Sequence, residues 1–482
     1  MNGALMKATS RFAIAAAFGL VVGVGSVRAA DLGGNCCADL EERIAELEAT
    51  TARKGNRKMS LTVTGQVHRM VMWWDDGHSS DTYYGVDSTN SSSRFAFVGS
   101  AKVTPTVTVG FDITIEIEAG GTSSKLSQFD EDGKVGAQIN GLAAGSLNSS
   151  NTDAYFGDAR RVNFYIEDTR LGRLTVGRSE SAGVITTIDL GGIGVVASAS
   201  VVLINGSFLI RGPTGQYYAI NWAALGDPSA NQGRTELIRY DSPSLHGFIF
   251  SSSIGEAGDY WGTMLRYAGE FNGVRIAAGI GYEKITDRQT SVNCFNLNAG
   301  GAATTCATGT GAGPSDLTAA KPEAEAWGAG VSVLHVPSGL FAQGHYLAAD
   351  FSTTGTSAYW GQSVANKKDA HQWMLQAGIT KNWFGVGNTG LYGEYSVSSD
   401  WGATNGAGRT FSATAIPGAT AVAGVTDTEL KVWGFGVTQN LDAAATTLYL
   451  GYRHFEADIT AGGTKLSTED FGVVIGGGVV RF

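Results

Sequence analysis

Charged residues, proline and long apolar runs are all scarce in this chain of 482 residues. No stretch after residue 30 is apolar for the roughly 18 residues that a membrane-spanning helix needs, which excludes a membrane protein built of helices. Charged residues make up 16% of the chain and proline only 8 positions, whereas glycine occupies 68. This composition disfavours a helical or α/β core packed with leucine and isoleucine, and it favours many pleated strands joined by polar loops.

Basic patches and grouped catalytic residues are also lacking. The net charge of −10 argues against nucleic acid as a partner. The histidines are scattered, and the sequence contains neither a Gly-x-Ser-x-Gly motif nor a pair of histidines at metal-binding spacing. We therefore expect no enzyme, no metal site and no cofactor.

The first 29 residues have the features of a secretory signal peptide. A basic start is followed by an apolar run over residues 12–24 and by the small-residue cleavage site Val27-Arg28-Ala29. We expect cleavage after Ala29, which leaves Ala30 as the first residue of the mature chain. The alternative, an uncleaved anchor, is disfavoured because the apolar run is short. The chain is thus predicted to leave the cytoplasm.

Cysteine occurs only four times, and in an exported chain these thiols can be oxidised. Cys294 and Cys306 bracket a segment rich in glycine, alanine and threonine, and a disulfide between them could close a small surface loop. Cys36 and Cys37 are adjacent and do not readily pair with each other. They are either free thiols or, for Cys37, one half of a disulfide between chains.

Residues 30–58 form a separate N-terminal segment in which the strand pattern is absent. Over residues 36–54 the mainly apolar residues recur at intervals of three and four positions, as at the a and d positions of a coiled coil. The pattern covers little more than two heptads, too short for a stable isolated helix. The helix would therefore form only if several copies of the chain are held together. Its seam consists of Cys37, Leu40, Ile44 and Leu47.

The segment Val107–Glu118 sets the pattern of the remaining chain. Apolar residues alternate with threonine, glycine, aspartate and glutamate over its whole length. Strands in soluble proteins are usually about five or six residues long. A transmembrane barrel strand needs roughly 9–11 residues, with its apolar face toward lipid and its polar face toward the lumen. The length of this segment favours the membrane.

The alternation continues from residue 59 to residue 482, and short turns alternate with long loops, as in bacterial outer-membrane barrels. Phe482 ends the last strand, which is typical of an outer-membrane sorting signal. The predicted fold is all-β, a 16-stranded antiparallel transmembrane β-barrel after a short N-terminal helix. The strands are predicted at 60–74, 93–103, 106–118, 160–168, 172–179, 234–241, 246–254, 259–269, 274–285, 324–336, 340–351, 371–382, 389–399, 427–439, 446–458 and 468–482.

Three segments resemble the trimeric sixteen-stranded general porins, and most closely those of alphaproteobacteria. They are DLEERIAELEATTARKGNRK at 39–58, YIEDTRLGRLTVGRSES at 165–181 and RYDSPSLHGF at 239–248. The resemblance covers nearly the whole mature chain. It implies a homotrimer in the bacterial outer membrane, in contact with lipid and lipopolysaccharide. It also implies a water-filled channel for passive diffusion of small hydrophilic solutes and ions.

The resemblance further implies that the long loop after the fifth strand, about residues 180–233, folds into the barrel and narrows the channel. Residues 188–210 are strongly aliphatic. A loop tip exposed outside the cell would have little reason to carry this character, whereas packing against the inner wall would bury it. The alternative is a long surface loop.

Charged side chains at the narrowest point would set the electric field there. An inward Arg178 would break the alternation with Leu174 and Val176, so its inward direction depends on the resemblance or on a local bulge. The excess of acids over bases mildly predicts a preference for cations. The candidates are Arg94, Arg161 and Arg178 on the wall, Glu180, Asp189, Arg211 and Asp227 in the loop, and Asp112 and Glu116 on the third strand.

Three further expectations concern aromatic residues and the N-terminus. Aromatic residues near strand ends are expected to form girdles at the membrane surface, although some of them could instead face the lumen. They are Trp73, Trp74, Tyr83, Trp261, Trp327, Trp373, Trp383 and Trp433. A substrate-specific channel, for instance for sugars, is the alternative function, with Tyr217, Tyr218 and Trp222 as the start of an aromatic track. The mature start at Ala30 resembles the N-termini by which some alphaproteobacterial barrels are covalently attached to peptidoglycan.

Overall fold

A computed structural model shows a barrel that is closed by antiparallel strands. It describes residues 58–117, 121–129, 159–183, 188–197, 200–226, 233–255, 258, 260–286, 324–351, 357–359, 362–364, 368–411 and 418–482. The proposed signal peptide, the coiled-coil seam, Ala30, Cys294, Cys306 and Asp227 lie outside the described residues. Among the described residues no helix has both the length and the apolar character to cross a membrane.

The sixteen predicted strands are confirmed, each within a few residues of its predicted limits. We number them in chain order. They are β1 Thr62–Asp75, β2 Arg94–Lys102, β3 Val107–Glu116, β4 Ala159–Asp168, β5 Gly172–Glu180, β6 Arg234–Asp241, β7 Phe248–Gly255, β8 Tyr260–Phe271, β9 Val274–Ile285, β10 Ala324–His335, β11 Leu340–Phe351, β12 Ala370–Lys381, β13 Thr389–Ser399, β14 Val422–Leu441, β15 Thr446–Ala461 and β16 Phe471–Arg481.

Each strand pairs with its neighbours in sequence, and β1 closes the barrel by pairing with both β2 and β16. Gly65 and Phe482 exchange backbone hydrogen bonds of 2.9 and 3.1 Å, so the closing ladder extends to the last residue. Closure leaves no strand edge unpaired, which is what a sheet in lipid requires. Both the start of β1 and the end of β16 lie on the side of the short turns.

Short additional strands lie in the long connections. Ser80–Val86 pairs with the end of β1, and Leu209–Arg211 pairs with Tyr217–Asn221 within the loop after β5. Arg409–Phe411 pairs with the first part of β14. The remaining short strands are Ser357–Tyr359, Gln362–Val364 and Thr464–Lys465, and the helical segments are single turns, of which Ala223–Gly226 is the only α-helix among the described residues.

The two faces of the wall have different chemistry. In β1, Val67, Val71 and Trp73 are exposed on the outer face, whereas Gln66 and His68 are buried on the inner face. On the outer face of β8–β15, four tryptophans each contact a tyrosine of the next strand with ring centroids 4.9 to 5.5 Å apart. These pairs lie near the long-loop end and fit a girdle at the membrane surface. They are Trp261–Tyr282, Trp327–Tyr346, Trp373–Tyr395 and Trp433–Tyr452.

The prediction of a membrane-surface position is wrong for Trp74 and Tyr83. Both side chains are buried, and both rings contact Phe208 of the loop after β5. Trp74 follows Trp73 on β1, and since successive side chains point to opposite faces, only one of the two can lie outside. The alternation of side chains along β1 thus explains why Trp73 lies outside and Trp74 inside.

The described part of the segment after β5, residues 181–226, contacts inner side chains of many strands. Ala182 N donates to Ser253 Oγ of β7 at 2.7 Å, and Leu190 N donates to Ser332 Oγ of β10 at 3.1 Å. Further along, the ring of Trp222 packs against those of Phe455 and Phe471. The aliphatic residues of this segment, such as Ile193, Val201 and Ile210, are fully buried in the resulting apolar cluster. We call residues 181–226 the inner loop.

Candidate functional site: charged groups on the inner wall

A β-bulge at the start of β4 brings two consecutive arginines to the same side of the wall. Thr114 pairs with Arg161 and Ile115 with Ala159, so Arg160 is the extra residue that the ladder leaves out. Such a bulge re-aims a side chain that strict alternation would place on the opposite face. Both Arg160 and Arg161 therefore reach acids of the inner face.

Arg161 joins two of the predicted acids. Its Nε and Nη2 bond the carboxylate of Glu180 at 2.6 to 3.0 Å, and its Nη1 lies 3.3 Å from Asp112 Oδ2. Glu180 is the last residue of β5 rather than part of a free loop. The planar guanidinium is suited to this forked contact, which fixes the orientation of both partners.

Arg160, which the sequence did not single out, holds the third acid. Its Nη1 lies 2.6 Å from Glu116 Oε1 and 3.4 Å from Ser92 Oγ. The Ser92 hydroxyl also donates to the Glu116 carboxylate. The basic part of this group is thus built at a bulge, which the period-2 pattern of the sequence does not reveal.

Two more arginines lie beside these ion pairs. Arg94 pairs in register with Glu116, and Arg234, the first residue of β6, pairs in register with Glu180. Their charges interact with those of Arg160 and Arg161. Among the described residues, neither Arg94 nor Arg234 has a salt bridge or a side-chain hydrogen bond. We call Arg94, Arg160, Arg161 and Arg234 the arginine cluster.

A second charged group lies on β6–β8, nearer the short turns. Asp241 is 2.8 Å from Arg239 Nη2 and 3.0 Å from Arg266 Nη2. Its carboxylate also accepts the Ser251 hydroxyl at 2.5 Å. Arg239 Nη1 donates to the carbonyl oxygen of Glu180 at 3.0 Å, which connects this group to the end of β5.

The opposite wall carries a chain of hydrogen-bonded polar side chains, one from each of five strands. Ser332 donates to Gln343 at 3.1 Å, Gln343 to Gln376 at 2.7 Å, and Gln376 to Glu394 at 2.9 Å. Arg453 completes the chain through two bonds to Glu394 of 2.6 and 3.1 Å. We call these residues the polar ladder. Its members are buried and face the inner loop.

The two end members of the polar ladder, Ser332 and Arg453, both contact the backbone of the inner loop. The Ser332 hydroxyl accepts the backbone N–H of Leu190, and Arg453 Nη1 lies 3.4 Å from the carbonyl oxygen of Val201. A buried Glu394–Arg453 pair without hydrogen bonds to its remaining atoms would be costly. The glutamines and the loop backbone provide such bonds here.

The predicted charge Arg211 is part of the attachment of the inner loop rather than of an open passage. Its Nε lies 2.8 Å from Asp76 Oδ2, and both side chains are buried. The guanidinium also lies 3.5 Å from the ring centroid of Tyr217 and 3.1 Å from Ser79 Oγ. Because its charge is neutralised inside the protein, Arg211 is not available to a solute.

Asp189 likewise has a local structural role. Its carboxylate accepts the backbone N–H groups of Gly192 and Gly194 at 2.9 and 2.6 Å and so closes a turn of the inner loop. Burial raises the pKa of this carboxyl, against the lowering effect of these hydrogen bonds.

Arg178 does not join the charged groups of the inner wall. It pairs with Val162 and lies on the face of Leu174 and Val176, and its Nε donates to the carbonyl oxygen of Ala159 at 2.6 Å. Arg178 therefore follows the alternation of β5, and the inward direction implied by the resemblance is wrong.

The aromatic residues of the inner loop are mostly inaccessible. The side chain of Trp222 is 1% exposed, and Tyr218 is 7% exposed with its hydroxyl 3.1 Å from the carbonyl oxygen of Ser467. Tyr217 is half-buried beneath Arg211 and packs on Phe129. These three rings do not form a continuous track along the inner surface.

A sequence model of the family described as Gram-negative porin matches residues 6–460. No curated protein sequence matches the chain. Among solved structures, the anion-selective porin from Comamonas acidovorans is 18% identical, covers 88% of this chain and 100% of its own, and has a TM-score of 0.49.

Two further solved structures cover a similar share of this chain at lower identity. Salmonella typhi OmpF in complex with daunomycin is 12% identical over 88% of this chain and 98% of its own, with a TM-score of 0.46. OmpT, an outer membrane protein of Vibrio cholerae, is 11% identical over 89% of this chain and 99% of its own, with a TM-score of 0.45.

The barrel, its polar inner face and the family match together define an outer-membrane channel protein. The chain belongs to the Gram-negative porin family. It forms a passage through which small hydrophilic solutes and ions diffuse passively across the bacterial outer membrane.

Proposed function

We propose that solutes cross the barrel between the arginine cluster on one side and the inner loop on the other. In a closed barrel of sixteen strands, strands eight positions apart lie on opposite sides, so β4 faces β12. The arginine cluster comes from β2, β4 and β6, whereas the polar ladder that holds the inner loop comes from β10–β13 and β15. A barrel of this size is too wide to be filled by its own side chains, so water occupies the space that the inner loop leaves open.

The observation that carries the proposal is the packing of the inner loop against one side of the wall. Phe208, Trp222 and Ile193 are buried there with inner residues of β13–β16 and β1. This supports a passage that is narrowed from one side by protein and lined on the other by charged groups. Selection would then depend on the width of the passage and on the electric field across it.

Single-channel recording in a planar bilayer tests this proposal. The purified protein should give discrete conductance steps, and small sugars should not block them. Small steps blocked by one solute would instead favour the alternative, a substrate-specific channel. A folded barrel that gives no conductance would show that the inner loop seals the passage, and this would contradict the proposal.

We also propose that three copies assemble, as the resemblance to the general porins of alphaproteobacteria implies. Trimers would hold three copies of the segment at residues 36–54 close together and so stabilise a coiled coil that is too short to form alone. Conductance steps in groups of three, and a trimer mass by native mass spectrometry, are the expected results. On a non-reducing gel, an interchain disulfide at Cys37 would give linked chains that the change Cys37→Ser abolishes.

Export and attachment to the cell wall are the remaining proposals. Cleavage after Ala29 would leave an Ala30 amine that could be linked to peptidoglycan. Mass spectrometry of muramidase digests should detect Ala30 on a peptidoglycan fragment. A free Ala30 amine in all copies would contradict the attachment but not the cleavage. No enzymatic activity is expected.

A further inference from the structure

We propose that the narrow part of the channel prefers small anions over cations, although the chain as a whole has a net charge of −10. The inference rests on the proposed passage between the arginine cluster and the inner loop. The field that an ion meets depends on the charges lining the passage and only weakly on charges more than a Debye length away. The location of the charges, rather than their total, therefore decides the selectivity.

Bases exceed acids on the inner wall of β2–β8. The arginine cluster contributes four positive charges, and Asp112, Glu116 and Glu180 contribute three negative charges, so the difference is 4 − 3 = +1. The group on β6–β8 contains two arginines and one aspartate, which gives 2 − 1 = +1. Both groups thus have the sign opposite to that of the whole chain.

The contacts determine which of these charges remain effective. Each of the acids Asp112, Glu116 and Glu180 lies within 3.3 Å of an arginine nitrogen, so each negative charge is compensated by direct contact. Arg94 and Arg234 have no such partner among the described residues. Their guanidinium groups present N–H donors in the geometry that carboxylates and phosphates bind.

The acidic excess lies elsewhere in the chain. Glu429 and Asp458 lie on the outer face, where they flank Lys431 at 2.9 and 3.1 Å. The acids of the outer face are separated from the arginine cluster by the wall. The polar-ladder pair Glu394–Arg453 and the pair Asp76–Arg211 are each neutral overall.

The reversal potential of the channel under a gradient of potassium chloride tests the proposal. The wild-type protein should favour chloride over potassium. Replacing Arg94 and Arg234 by glutamine should shift the permeability ratio toward potassium by about fourfold for each arginine, because a unit charge roughly 10 Å away in water changes the local concentration of each ion about twofold and in opposite directions for chloride and potassium. The difference within the cluster then becomes 2 − 3 = −1.

A matched double variant separates the local charge from the total charge. Lys431→Gln with Lys465→Gln removes the same charge from residues that bond Asp458 on the outer face. It should leave the permeability ratio unchanged. A wild-type channel that conducts but favours potassium overturns the inference and leaves the proposed passage intact. Equal shifts in the two double variants also overturn it, whereas a protein without conductance contradicts the passage itself.

Discussion

The polar ladder makes a prediction about how the width of the channel is maintained. Arg453 and Glu394 are 4% and 1% exposed, and together they connect the wall to the inner loop at Val201. The change Arg453→Met keeps most of the side-chain volume but leaves the Glu394 carboxylate buried, with the hydrogen bond from Gln376 as its only one from the described part of the chain. Removing one partner of a buried ion pair typically costs about 3–5 kcal/mol.

We expect the inner loop to detach from the wall so that the Glu394 carboxylate is no longer buried. Detaching one loop exposes far less surface than separating barrel strands. We expect a channel with larger and noisier single-channel currents, since the loop no longer holds one position. The thermal transition of the barrel should change much less than the current. Recording in planar bilayers measures the first effect, and circular dichroism at increasing temperature measures the second.

Two further variants test the reasoning. Glu394→Gln combined with Arg453→Met removes both charges and should restore most of the wild-type behaviour, since the glutamine stays neutral and can still bond Gln376. Lys431→Met breaks ion pairs with Glu429 and Asp458 whose side chains are 33% to 40% exposed, and it should cost about 0–1 kcal/mol. Wild-type currents in the Arg453→Met channel, or a double variant as noisy as the single one, would refute the role assigned to the pair.

Three other substitutions follow from the packing of the inner loop. A methyl group at Gly281 would lie 1.9 Å from the carbonyl oxygen of Gly183, so Gly281→Ala should displace the start of the inner loop and increase current noise. A methyl group at Gly393 has its nearest atom at 3.8 Å, so Gly393→Ala should not increase the noise. Equal noise in both variants would contradict this. Trp222→Ala removes a ring 1% exposed from the inner loop and should cost about 3–5 kcal/mol, seen as increased current noise. Trp383→Ala, at a site 44% exposed, should leave the current unchanged; equal noise in both variants would contradict this. Asp76→Asn leaves Arg211 buried without its ion partner and should also increase noise; the same result for the neighbouring Asp75→Asn would argue against a specific effect.

The strands of this protein could be predicted because their signal is local. Alternation along one strand is a property of the pleat, and the strand lengths follow from the thickness of the membrane. Sixteen strands and the order of short and long connections were therefore readable without knowledge of the partners. The same pleat puts Arg178 on the face of Leu174 and Val176, so its assignment to the inner wall was wrong.

The charged site could be predicted only in part. Arg94, Arg161, Asp112, Glu116 and Glu180 are brought together by the register of neighbouring strands. Arg160 was missed because its direction depends on a bulge, and a bulge is a mismatch between two strands rather than a pattern within one. Arg211 and Asp189 were assigned to the passage because charge in a polar-lined barrel suggested it. Asp76, which is distant in sequence, neutralises Arg211, whereas Asp189 closes a local turn of the inner loop.

The sequence by itself determined the class of fold, the number of strands and the presence of a long aliphatic segment after β5, since each depends on residues close together in the chain. Only the tertiary structure decided where the inner loop packs and which charges face the passage. The Glu394–Arg453 and Asp76–Arg211 pairs join residues 59 and 135 positions apart. A chain with a net charge of −10 can have an inner wall with an excess of arginine, because composition gives only the total charge and the fold decides on which face each charge lies.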